Sequence, residues 1–155
     1  MSKTLIIGLG NPILGDDGVG WAVADEVAER QPADSPIEIE KLSLGGLSLM
    51  ARMTGYERVI LIDAMQTGTH PLGSVSVFPL TELPNPFSGH SASTHDTSLL
   101  TALDTGRQLG VPLPNNDDIT VIAIEAENIY DFSETLSPSV SAAVPTAAQY
   151  VMELL

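Results

Sequence analysis

The apolar run Leu5-Ile6-Ile7 passes without a break into GLGNPILGDDGVG, Gly8 to Gly20, and that stretch runs straight into an amphipathic helical pattern. A strand, a glycine-rich turn and a helix start in that order commit the chain to open on a β–α unit. The turn also carries two adjacent carboxylates, Asp16 and Asp17. Glycines and open backbone amides at a helix start suit an anion, but paired carboxylates repel one and attract a cation. A metal ion or a cationic group is therefore the expected ligand. Gly8-Leu-Gly10 begins a GxG, yet Ile13 stands where GxGxxG needs its third glycine, so dinucleotide binding has little support.

The alternation continues along the chain. Val19, Val23 and Val27 recur at helical spacing as far as Arg30, with Pro32 beyond. Residues 37–42 alternate as a second strand, residues 44–53 form a short apolar helix around Gly45-Gly46, and residues 58–63 are a continuous apolar run of central-strand type ending on Asp63. Only about ten residues then separate Asp63 from a strand at 74–78, too few for the helix of a parallel crossover. That strand is expected at an edge and antiparallel. A polar loop at 79–94 leads to a helix over 95–109, a strand at 119–124 and a last helix over 139–154. The fold expected is α/β, three layers α/β/α, with a five-stranded, mostly parallel twisted sheet and one antiparallel edge strand.

At 155 residues and 43% apolar content, one domain spanning 1–155 can bury a single core. Six basic against twenty acidic residues give a formal charge of −14, which repels nucleic acid and anionic lipid alike. The absence of cysteine excludes a disulfide framework, a thiolate metal site and a cysteine nucleophile. The first fourteen residues carry too short an apolar run for a membrane span or a signal core, and the expected location is cytoplasmic.

Three polar residues fall beyond the carboxyl ends of strands, where such sheets collect ligands: Asp17 past the first strand, Asp63 at the end of the third, and His95 at the start of the helix after the long loop. Two carboxylates and one imidazole suit a divalent ion such as nickel, zinc or manganese. Each residue also has a plainer role. Asp16 or Asp17 can cap the first helix, and His95 alone is an ordinary helix-start residue. A carboxylate closing a buried strand, as Asp63 does, must be paired or coordinated. His70 and His90 lie in loops without a carboxylate pattern and read as solvated. Glu125 and Glu127 share a face beyond the last strand, and Glu127 is either a substrate contact or a solvated loop carboxylate. Gly46-Leu-Ser48-Leu-Met50 lacks the closing glycine of a nucleophile elbow, which argues against a serine triad.

Taken together, GLGNPILGDDGVG (8–20), VILIDA (59–64), STHD (93–96) and ETLSPSV (134–140) make the chain resemble, over almost its whole length, the hydrogenase maturation endopeptidases. The resemblance implies removal of a C-terminal extension from the precursor of a nickel–iron hydrogenase large subunit, a single cut made after nickel insertion. The family's metal ligands fall on Asp17, Asp63 and His95, which then probe the substrate's nickel; zinc or cadmium can occupy the same site. Gly45, Gly46 and Glu127 are the expected substrate contacts, and the loop after the second strand lacks the aspartate that the family often carries there. The GLGNP start also resembles peptidyl-tRNA hydrolases, but no histidine follows the motif closely and six basic residues could barely neutralise the roughly six to ten phosphates of an RNA footprint. A non-enzymatic nickel-sensing maturation chaperone fits the same trio.

Overall fold

The computed structural model describes residues 3–82 and 98–155. Five strands form one sheet in the order β2-β1-β3-β5-β4. They are β1 (Thr4–Leu9), β2 (Glu38–Leu42), β3 (Arg58–Met65), β4 (Val75–Pro79) and β5 (Ile119–Glu125). The helices are α1 (Val19–Arg30), α2 (Gly46–Arg52), α3 (Leu99–Gln108) and α4 (Pro138–Leu154). β2, β1, β3 and β5 are mutually parallel, and β4 pairs antiparallel with β5 at the sheet's edge. The expected architecture is the observed one.

Strand periodicity divides the core into two halves. Ile6, Ile60, Ile62, Ile122 and Ile124 face one side, where they are covered by Val19, Val23 and Val27 of α1 and by Val140, Ala147 and Val151 of α4. Leu5, Ile7, Val59, Leu61, Val121 and Ala123 face the other, against Leu49 of α2 and Leu103 of α3. Each of these large side chains contributes on the order of 1.5–3 kcal/mol by leaving water. With both faces covered, β1, β3 and β5 can be apolar throughout, which is why their sequences run without alternation.

Two boundaries that bear on the site differ from expectation. β3 continues two residues past Asp63, to Met65, so Asp63 lies inside the strand opposite Ala123 rather than at its end. α3 begins at Leu99, behind Ser98, whose hydroxyl accepts the Thr101 amide at 3.2 Å as an N-cap. The helix therefore starts four residues later than the His95 start expected from sequence. β2 and β4, at the two edges, are half-buried and short, as edge strands tend to be.

Candidate active site at the carboxyl ends of the strands

From β1 the chain crosses outward to β2 and then returns over β1 to β3, so the strand order reverses between β1 and β3. The carboxyl ends of those two strands are where such a sheet opens a crevice for ligands. The glycines of the opening motif shape this corner. A Cβ on Gly20 would lie 2.3 Å from the Leu9 carbonyl oxygen and 2.5 Å from that of Ile62. Only glycine lets the first turn of α1 rest on both strands at once. Gly15, at φ +58°, opens a 3-10 turn, Gly15–Gly18, that packs against β3 and carries both aspartates.

Asp17 is 4% exposed, and its Oδ2 accepts the Asn11 amide at 2.9 Å. Asp63 is fully buried on the α2/α3 side of the sheet, and its Oδ1 accepts the Ala64 amide at 2.8 Å. Each takes part in further polar or electrostatic interactions. Two of the expected ligands, 46 positions apart by their numbers 17 and 63, thus lie in the turn after β1 and near the carboxyl end of the neighbouring strand β3. His95 and His90 lie outside the described residues. Among the described residues no group of three His, Cys, Asp or Glu side chains is arranged to hold a metal ion.

Gly45 and Gly46 sit at the same end of the sheet, as the N-cap and first residue of α2. Their loop is tied to the first one: the Gly10 amide donates to the Leu42 carbonyl at 3.0 Å, and the Ser43 hydroxyl donates to the Gly10 carbonyl. Glu127 has an exposed side chain in the loop after β5, while its carbonyl accepts the Gln66 side-chain amide at 2.8 Å.

Neither aspartate caps α1, whose N-cap is Gly18 without any side-chain hydrogen bond. Asp16 instead reaches across the molecule. Fully buried, its carboxylate accepts the amides of Glu127 at 3.0 Å, Asn128 at 3.1 Å and Ser137 at 2.6 Å, and the Ser137 hydroxyl at 2.8 Å. Ser137 is the N-cap of α4, so the charge also lies at the positive end of that helix. Burial pushes the Asp16 carboxyl up and the hydrogen bonds from Ser137, Asn128 and Glu127 pull it down, with the net position below the usual carboxylate value.

Glu125 is a further buried carboxylate, one that the sequence left in the background. It accepts the Thr67 and Gly68 amides at 3.0 and 3.1 Å and the Thr67 hydroxyl at 2.6 Å, closing the loop that follows β3. His70, expected to be solvated, is half-exposed and has its Nδ1 within 3.2 Å of the Thr67 hydroxyl. The only sequence signal for Glu125 was its place just beyond an apolar strand.

The same fold occurs in the hydrogenase maturating endopeptidase HybD from Escherichia coli, with a TM-score of 0.81, 24% identity, and 99% of this chain and 91% of that one covered. The hydrogenase 2 maturation peptidase from a Thaumarchaeota archaeon aligns at a TM-score of 0.68 with 25% identity over 99% and 97% of the two chains. By sequence the chain is 24% identical over 153 residues to the hydrogenase 2 maturation protease of E. coli, covering 99% of this chain and 90% of the relative. It is 26% identical over 151 residues to a putative hydrogenase maturation protease of Methanocaldococcus jannaschii, covering 96% and 93%. The profile of the hydrogenase maturation protease family matches residues 21–154. The chain belongs to that family and is, as such, a peptide hydrolase of hydrogenase maturation. Among the described residues no helix is long and apolar enough to cross a membrane.

Proposed function

We propose that this protease removes the C-terminal extension of a nickel–iron hydrogenase large-subunit precursor, and that Asp17, Asp63 and His95 ligate the nickel which the precursor already holds. The observation that supports the reading is the burial of both Asp17, in the turn after β1, and Asp63, near the carboxyl end of the adjacent strand β3. Carboxylate oxygens that already accept backbone amides keep further lone pairs, and a divalent ion is a ligand suited to two such groups. Nickel here is the cargo of the substrate, and zinc or cadmium can take its place because carboxylate and imidazole donors serve all three ions. Reading the ion in this way makes cutting conditional on nickel insertion.

The test is the mass of a purified large-subunit precursor after incubation with this protein, with and without nickel loaded. Loss of a short C-terminal peptide from the loaded form alone is expected. Equal cutting of both forms would remove the nickel-reading role, and no cutting of either would remove the substrate assignment.

A further inference from the structure

The loop before Asp17 and the loop between β5 and α4 are sewn into one ledge. The Gly15 amide donates to the Ser133 carbonyl and the Ser133 amide to the Ile13 carbonyl, both at 2.8 Å, and the Asp16 amide donates to the Asn128 carbonyl at 2.7 Å. Asp16 adds its four side-chain bonds to the same pair of loops. Ile129 anchors the second loop in the core at 7% exposure. On this well-bonded backbone three large apolar side chains point into water: Ile13 is 45% exposed, Tyr130 73% and Phe132 85%.

A single exposed aromatic needs no explanation, but three large apolar groups on two joined loops make a patch, and ordered aromatics are the side chains that anchor interfaces. Ile13 lies four positions before Asp17, and the Gly15–Ser133 bond ties the loop that carries Tyr130 and Phe132 to the turn that holds Asp17. Its surroundings are acidic. Glu127, Asp131 and Glu134, on the same loop, are exposed, and the whole chain carries −14. An apolar centre inside an acidic rim is complementary to an apolar segment flanked by lysine or arginine.

We propose that Ile13, Tyr130 and Phe132 form the docking surface for the precursor protein, engaging an apolar, basic-flanked stretch of its surface beside the bond to be cut. The identity of the partner rests on the function proposed above; the location and chemistry of the surface rest on the exposed residues themselves. Docking here is independent of nickel, because none of the three side chains can ligate an ion. The precursor is thus held first and its metal read second.

The experiment compares wild type, Tyr130→Ser/Phe132→Ser and Asp131→Lys/Glu134→Lys in calorimetric binding to the purified full-length precursor, nickel-loaded and nickel-free, together with KM, kcat and melting temperature. Both variants should melt with the wild type, because exposed side chains contribute little to stability. The aromatic variant should bind both forms of the precursor about tenfold more weakly, with KM raised and kcat within about twofold. The charge variant should weaken binding mainly at low salt. If the aromatic variant binds and cuts as wild type does, the docking surface is overturned while the function stands. If wild type binds the precursor through these residues yet cuts neither form, the surface stands and the function falls. If the wild type self-associates, the variant is monomeric and precursor binding is unchanged, the patch belongs to a second copy and the proposal is overturned.

Discussion

The Asp16 carboxylate collects hydrogen bonds from Glu127, Asn128 and Ser137, so Asp16→Ala strands three backbone amides and a hydroxyl at a buried junction. A loss of about 2–4 kcal/mol is expected, against about 0.5–2 for a helix cap, and urea or thermal unfolding of the variant measures it. Because its folded-state pKa lies below the ordinary 3.8, the stability that Asp16 supplies is complete above that pH and drains away as pH falls through the lower folded value. Asp16→Asn, which cannot titrate there, should lose less stability than wild type below about pH 4. Asp17→Ala forfeits the bond from Asn11 and costs about 1–2 kcal/mol, yet it should abolish nickel-dependent processing if Asp17 is a ligand. Normal cutting by that variant would place the ligand elsewhere. The pair was conspicuous in the sequence, but the division of labour was not. A cap is a local contact, whereas the partners of Asp16 are 111 to 121 residues away in sequence, beyond the reach of any local pattern.

At the scale of elements, the strands announced themselves because a parallel sheet covered on both faces leaves near-continuous apolar runs, and β1, β3 and β5 have them. The start of α3 was less legible: residues 93–98 read SerThrHisAspThrSer, several of which are good caps, and only the Ser98–Thr101 bond identifies the one used. α4 runs through Pro145, which by propensity should have broken it. Burial of Val140, Ala143, Ala147, Ala148 and Val151 along one stripe outweighs that cost, and Pro145 itself is exposed. Pro145→Ala should therefore gain about 1–3 kcal/mol in melting experiments, since a helix donor is restored with no packing lost. Gly20→Ala should do the reverse and cost about 2–4 kcal/mol, because its Cβ would meet two backbone carbonyls that can recede only if α1 lifts from the sheet. If Gly20→Ala proves neutral, the close seating of α1 on β1 and β3 is not what holds the carboxylate turn in place.

For the molecule as a whole, the charge of −14 complicates any claim of metal binding, because every divalent cation is drawn to such a surface and screens its self-repulsion. A rise in melting temperature on adding nickel is thus insufficient alone. A specific site differs in two ways. It saturates, adding about 2.7 kcal/mol at a hundred times its dissociation constant, which for a domain of this size is a rise of about 5–10 °C. It also depends on donor type, so magnesium at equal ionic strength should give only the screening part, since it is a hard ion that prefers oxygen and retains water. With the ligands proposed here, nickel should exceed magnesium in the wild type, and His95→Ala should bring the two curves together. An excess that survives His95→Ala would mean that the imidazole has been wrongly chosen. No excess at all, with nickel-dependent cutting intact, would mean that the carboxylate corner engages the ion only when the precursor supplies the remaining ligands.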